Sequence, residues 1–310
     1  MERKSLRELV AKEQIFAPIV WDVLSAKCAE AAGFKATLLS GGVVAGQCAT
    51  PDIGIISLDD LVRVSTYVCQ GSVLPCCIDA DDGFGETPLH AYRCTKRLAD
   101  GGAMSLTLDD TTGTRGYGRW AQALRGGEPF GTIPHPAVSR GTFYAKTRAA
   151  LDACSGTECM LIARTESALE YGLDEAIERC IRAEELGAEM TLVIGLRNLE
   201  EGKAVAEHVH GWKMWPDVMA PRGIPDVEFK DIEPLGFNYI TAHCITKGAN
   251  YGMTSFGKRC LEEKSTVCVD ELDIGIPEGC RWDMDNDQEW FDREDKYWKG
   301  LEHPYLGKMD

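Results

Sequence analysis

The chain predicts an α/β fold, a (β/α)8 barrel, on three observations. Eight short apolar runs alternate with segments in which apolar residues recur at helical spacing. The alternation occupies roughly 250 residues, the usual span of such a barrel. The runs end in glycine, acids, arginine or histidine, and barrels carry their chemistry at the C-terminal ends of strands. A doubly wound open sheet uses the same elements, but its Gly-x-Gly-x-x-Gly fingerprint after the first strand is absent.

Residues 15–20 read as the first strand. Asp22 is placed to cap a helix over 23–32, and Gly33 stops it. Residues 36–39 form a second strand that runs into Ser40-Gly41-Gly42. Ser57 precedes a helix over 58–70, with Asp59 and Asp60 in the first turn where the helix dipole favours them. The third strand, 73–79, drives an apolar run into Asp79, Asp81 and Asp82, then Gly83 and Gly85. Buried parallel strands have that unbroken apolar character. A helix over 88–99 closes at Gly101-Gly102, and 103–109 is the fourth strand. Residues 110–136 are glycine-rich and read as a lid or binding loop. A helix over 139–153 leads to strand 159–163, which ends at Arg164. An amphipathic helix over 173–186 stops at Gly187. Strand 190–194, helix 199–209, a weak strand 213–219 broken by Pro216, strand 237–242 and helix 248–263 complete the series. The barrel is assigned to residues 1–268. A polar, Trp-rich tail over 269–310 carries an amphipathic helix at 288–299, expected to pack on a neighbouring subunit.

Composition excludes several functions. With 310 residues, 44% of them hydrophobic, the chain can bury one large core. A net charge of −16 and a pI near 4.9 argue against nucleic acid, whose phosphates need a basic surface. No stretch approaches the ~20 apolar residues of a membrane span. The opening residues, Met1 to Arg7, are too polar for a secretory leader, so a cytoplasmic protein is expected. The 13 cysteines are odd in number and form no Cys-x-x-Cys pair. Free buried thiols are expected, with neither zinc nor a disulfide framework.

Asp79 and Asp81 alternate along a strand and should therefore share a face. Two adjacent carboxylates repel unless a cation lies between them, and hard oxygen ligands suit Mg²⁺ or Mn²⁺. Other strand ends add Ser40, Gly41 and Gly42, Asp52 on the next loop, Asp109 with Asp110, Arg164 with Glu166, and Thr241 with His243. The Ser40 hydroxyl and the N–H groups of Gly41 and Gly42 suit a substrate carboxylate, which Arg164 can clamp with its planar fork. Asp79 is the expected direct ligand, the other acids holding metal-bound water. Each feature also has a plain reading. Asp52 can cap a turn, Ser40-Gly41-Gly42 can be an ordinary βα turn, and Arg164 can pair with Glu166 or Asp109.

In order and spacing, five segments resemble the isocitrate lyase / phosphoenolpyruvate mutase superfamily, over about residues 9–263. They are Ser40-Gly41-Gly42, Pro51-Asp52-Ile53-Gly54, Asp79-Ala80-Asp81-Asp82-Gly83-Phe84-Gly85, Ala163-Arg164-Thr165-Glu166 and Gly187-Ala188-Glu189-Met190. The chain looks closest to the methylisocitrate lyase and dimethylmalate lyase branch. The resemblance implies a barrel whose last helix is exchanged between subunits, a homotetramer built as a dimer of dimers, and Mg²⁺ or Mn²⁺ as cofactor. It places the metal on Asp52, Asp79, Asp81 and Asp109. It places the substrate carboxylate on Ser40, Gly41, Gly42 and Arg164, beside Asp79. The family's Glu-Asp after the fourth strand is Asp109-Asp110 here, one methylene shorter, which favours a water-mediated metal contact.

Two departures stand out. The family's C–C lyases carry Lys-Arg/Lys-Cys-Gly-His on the loop after strand four, with the cysteine as acid/base. This chain has Thr111-Thr112-Gly113-Thr114-Arg115-Gly116-Tyr117-Gly118 there, and no further cysteine until Cys154. Where the lyases place a substrate-contacting Glu after strand six, this chain has Ile194. Tyr117, Arg119, Glu128 and His135 are then the loop's proton-transfer or anion-binding candidates. His135 is the simplest acid/base, because imidazole titrates near neutrality. His243 is its counterpart at the last strand. Arg164, His135 and Tyr117 make up the expected catalytic set. The expected function is metal-dependent C–C cleavage, by retro-aldol reaction or decarboxylation, of a small 2-hydroxy or 2-oxo acid. Phosphonate C–P chemistry using Arg115 or Arg119, or carboxylate binding without turnover, are the alternatives.

Overall fold

The computed structural model describes residues 5–113, 117–128, 133, 135–196, 198–218, 227–268 and 287–308. Eight parallel strands close a barrel in sequence order: β1 (Ile15–Val20), β2 (Thr37–Leu39), β3 (Cys76–Asp79), β4 (Ser105–Leu108), β5 (Met160–Thr165), β6 (Met190–Val193), β7 (Trp212–Trp215) and β8 (Tyr239–Ala242). Closure is by β1 on β8, with Ala17 opposite Thr241. Around them run α1 (Leu6–Val10), α2 (Val23–Ala31), α3 (Gly41–Gln47), α4 (Leu58–Gly71), α5 (Pro88–Asp100), α6 (Tyr117–Gly126), α7 (Arg140–Cys154), α8 (Ala168–Tyr171), α9 (Leu173–Leu186), α10 (Leu199–His208), α11 (Phe229–Ile232) and α12 (Cys244–Glu263). A tail helix, α13 (Asp287–Trp298), precedes a two-stranded ribbon, Glu302–His303 with Gly307–Lys308, that the sequence pattern does not announce.

The strands read as unbroken apolar runs because both of their faces are covered. Ile19, Leu38, Cys77, Met160, Ile162 and Met190 belong to a buried cluster shared with Leu6, Leu9 and Val10 of α1. Arg7 ties α1 to the N-terminal ends of β5 and β6, donating to the Cys159 carbonyl at 3.2 Å and the Glu189 carboxylate at 2.8 Å. Ile78, Leu106 and Leu108 pack outward, in a cluster with Leu61, Cys94 and Leu98 of α4 and α5. Each such side chain, fully buried, contributes about 1.5–3 kcal/mol of transfer free energy. The helices start where their caps predict. Asp22 accepts the N–H of Ser25 at 2.7 Å, and Ser57 accepts that of Asp60 at 3.2 Å.

Several expectations change. The third strand begins at Cys76, not residue 73, because Ser72 and Glu30 engage the backbone of residues 73 and 74. The weak strand ends at Trp215, just before Pro216. Ser40-Gly41-Gly42 is no simple turn, since Ser40 is the N-cap of α3. The loop over 110–136 carries a ten-residue helix, α6. The tail helix forms as expected, with Trp290 exposed on this chain and Arg293 over its ring at 5.4 Å. Trp282 lies outside the described residues. Among the described residues no helix is long and apolar enough to cross a membrane.

Candidate active site

β3 ends in buried Asp79, whose carboxylate is the hub of the strand-end cluster. Its Oδ1 accepts the Thr107 hydroxyl at 3.0 Å and Arg164 Nη1 at 3.1 Å. Its Oδ2 accepts the N–H of Gly41, the first residue of α3, at 3.4 Å. Asp81 reaches the same place by a different route from the one alternation predicts. It lies beyond the strand with φ +46°, and its carbonyl accepts the N–H of Asp109 at 2.8 Å. Aspartate is among the few residues that tolerate this left-handed conformation. A Cβ on Gly41 would stand 3.0 Å from both Asp81 carboxylate oxygens, and one on Gly42 would stand 3.0 Å from Asp52 Oδ2. Glycine at both positions therefore lets Asp52, Asp79 and Asp81 crowd one helix start. Three neighbouring negative charges with a positive helix end between them form a strong local field.

The second half of the cluster comes from β4 and β5. Asp109 is buried, and its Oδ1 accepts the N–H and hydroxyl of Thr111 at 2.9 and 2.7 Å. Its Oδ2 has no hydrogen-bond partner among the described residues. Burial pushes this carboxyl up to about 7; Arg164 opposes the rise and Glu166 adds to it. Arg164 Nε donates to Glu166 at 2.9 Å, a second guanidinium nitrogen also contacts that carboxylate, and Nη1 spans to Asp79. Desolvation alone would lower the arginine's pKa, but Glu166, Asp79 and Asp109 outweigh it and hold the value well above usual. Of the two plain readings of Arg164, the pairing with Glu166 is present, and its other carboxylate partner is Asp79 rather than Asp109.

The loop over 111–137 is pinned at its base. Thr111 and Ala137 form an antiparallel bridge, Thr112 N–H donates to the Pro136 carbonyl at 3.2 Å, and Val138 N–H donates to the Asp110 carbonyl at 2.7 Å. His135 stands next to this base, its Nδ1 3.6 Å from Glu166 Oε2, with only 15% of its side chain exposed. The structure therefore brings together Gly41, Gly42, Asp52, Asp79, Asp81, Asp109, Arg164 and His135, with Ser40 at the edge. Tyr117 it leaves at the start of α6, 52% exposed. Arg119 is taken up by Glu170 at 2.8 Å, whose other oxygen accepts the N–H of Ala137 at 3.1 Å. Glu128 is exposed, and Arg115 lies outside the described residues. At the β8 end, His243 Nε2 lies 3.0 Å from Asp217, which also accepts the Thr241 hydroxyl. A cavity of about 870 Å³ opens beside Asp81, bounded by Phe84, Thr112 and Lys146. Buried Lys146 donates to the Gly85 carbonyl at 3.0 Å and so holds the turn that follows the acids.

The family model of phosphoenolpyruvate phosphomutase matches residues 6–244. The chain belongs to the phosphoenolpyruvate mutase / isocitrate lyase superfamily. It is 34% identical over 214 residues to 2-methylisocitrate lyase of Escherichia coli, a match covering 66% of each chain. It is 30% identical over 209 residues to an oxaloacetate decarboxylase of Pseudomonas fluorescens, covering 67% of each. A solved structure of phosphonopyruvate hydrolase with oxalate and Mg²⁺ superposes with a TM-score of 0.74 at 22% identity, covering 94% of this chain and 96% of that one; this likeness bears on the fold. The chain is an enzyme of the carbon–carbon lyase type, as are both of these sequence relatives.

Does the superfamily's divalent ion fit this chain? Among the described residues no group of three or more acids, histidines or cysteines is arranged to hold a metal ion by itself. Mg²⁺ does not ask for one, since it keeps several waters and takes one or two carboxylates. Asp109 Oδ2, without a partner among the described residues, and the crowding of Asp52, Asp79 and Asp81 at the start of α3 suit such a hydrated ion. The donor set fits.

Sequence reading passed over two residues that matter here, Glu170 and Arg179, and grouped Asp110 with the strand-end acids without giving it a partner. Arg179 carried one signal: it falls on the buried stripe of α9 with Ala176, Cys180 and Ala183, where a cation needs a partner.

Proposed function

We propose that this enzyme cleaves a C–C bond of a small 2-hydroxy or 2-oxo di- or tricarboxylic acid, in a Mg²⁺- or Mn²⁺-dependent reaction that releases pyruvate or a related 2-oxo acid. One observation carries the reading. Arg164 and the Gly41 N–H at the start of α3 converge on the same carboxylate hub as the acids fitted to a hard cation. Asp79 would hold the ion directly, with Asp52, Asp81 and Asp109 on its waters. When bound, the ion supplies Lewis-acid stabilisation of the negative charge that develops beside the breaking bond. The substrate's C1 carboxylate binds between the Gly41 and Gly42 N–H groups and the Arg164 fork, which fixes its plane. His135, backed by Glu166, holds the proton that the enolate carbon takes up. His243, backed by Asp217, is the second candidate donor at the barrel mouth. Decarboxylation fits the cysteine-free loop best, because CO₂ departs without a general base and only a proton donor is needed.

The test is release of 2-oxo acid from a panel of substituted malates and oxaloacetates, with and without Mg²⁺, against a metal-only control for spontaneous decarboxylation. Turnover of one acid above that control is the expected result; none across the panel overturns the reading. Phosphonate chemistry is less well supported, because Arg119 is engaged by Glu170; phosphorus NMR of candidate mixtures checks it. Binding without turnover would show as ligand-induced thermal stabilisation with no product. The same reading includes a cytoplasmic homotetramer, a dimer of dimers, in which α13 packs on a neighbouring subunit. Sedimentation of the purified protein checks the stoichiometry.

A further inference from the structure

Asp110 takes no part in the chemistry above, yet it is fully buried and its carboxylate is saturated. Its Oδ1 accepts the N–H of Glu166 at 2.8 Å. Its Oδ2 accepts the Thr165 hydroxyl at 2.6 Å and Arg179 Nη1 at 2.9 Å. Arg179 reaches in from α9, itself buried, and donates also to the Val138 carbonyl at 2.9 Å and to Glu175 at 2.8 Å. Val138 is gripped on both sides, since its N–H goes to the Asp110 carbonyl. Packing alone gives no reason for such a pair, because apolar residues of similar volume are often as good or better in a buried site. What the pair joins is informative. The ends of β4 and β5 and the returning limb of the loop meet here. The Glu166 backbone hangs on Asp110, while its side chain faces Arg164 and His135.

We propose that the Asp110–Arg179 pair is a positioning device that holds Glu166 between Arg164 and His135. The substrate clamp and the proton donor then share one fixed geometry. In its activity readout this inference rests on the function proposed above.

The test uses full-length Asp110→Asn and Arg179→Lys enzymes. Asparagine keeps the shape but turns an amide N–H₂ toward one of three donors. Lysine keeps the charge without the planar fork that reaches Asp110, Val138 and Glu175 together. Displacements of ~1 Å at a catalytic group cost about 10- to 100-fold in rate, and that loss is expected in kcat. KM should change by less than about threefold, the mark of an interaction expressed in the transition state. Histidine-labelled protein supplies a readout free of turnover. The His135 ring resonance, assigned by its loss in His135→Gln, should shift in both variants, while that of His208 on α10 stays in place. A purely structural pair lowers the thermal midpoint but leaves kcat and the His135 resonance of the folded variant at wild-type values. That outcome overturns the proposal. If Arg179→Lys fails to fold, Asp110→Asn decides alone. If the wild type turns over none of the acids, the proposed reaction falls, and the resonance still decides the positioning.

Discussion

Asp81 shows how a single residue can do two things at once: it sits in a left-handed turn and points its charge at the start of α3. Asparagine tolerates the same backbone, so Asp81→Asn isolates the charge. Without metal, the variant should melt higher than wild type, because one of three crowded negative charges is gone. With millimolar Mg²⁺ the wild-type midpoint should rise while that of the variant barely moves. Calorimetry of both proteins with and without the ion checks both signs. Arg164→Lys removes the fork that spans Asp79 and Glu166, and kcat/KM for the cleaved acid should fall about 10- to 100-fold. At this scale the acids, the glycines and Arg164 were legible because their chemistry is local. The route of Asp81 was not, because strand periodicity says nothing once the chain has turned. Nor was the Glu166–His135 contact, which joins residues 31 positions apart through a loop base that only the fold assembles.

Elements were legible where period and caps agree, as in α4 with its Ser57–Asp60 capping box. They were missed where glycine dominates. α3 opens with two glycines that propensity scores against, yet those positions must lack a Cβ beside Asp81 and Asp52. α6 hides in a glycine-rich loop and is held to the barrel by Arg119 on Glu170. At the start of α9, Glu175 accepts from Arg140 and Arg179, and the Arg140 hydrogen bond leads in lowering its pKa from 4.5 to about 2. The folded value lies below the unfolded one. The stabilisation is therefore complete above about pH 4.5 and is lost as pH falls toward 2. Glu175→Gln should narrow the gap to wild type in urea midpoint as pH drops from 5 to 3, a range that chemical denaturation in acid buffers covers.

At the scale of the molecule, eight strands alternating with helices announced a barrel, and the closed register from β1 round to β8 bears that out. The sequence could not announce how the bore is tied across. Fully buried Tyr239 on β8 donates its hydroxyl to the Thr37 carbonyl at 2.9 Å, linking β8 to β2 past β1. Tyr239→Phe should cost about 1–2 kcal/mol in unfolding free energy, measurable in urea. Polar ties across a bore leave no periodic trace, so they stay hidden until the strands are in place.

The bridge of Thr111 to Ala137 and the bond from Thr112 to Pro136 bring the two stems of the loop side by side, as a clasp closes a necklace. A segment that enters and leaves at one point is interchangeable. The barrel beneath it keeps its strand-to-strand hydrogen bonds whatever is strung between the ends, and gives up only the Arg119–Glu170 bond among those described. Splicing a cysteine-bearing Lys-Arg-Cys-Gly-His loop between residues 113 and 134 should therefore yield a chimera that melts close to the parent but accepts a different acid. Evolution could have diversified this scaffold by the same exchange.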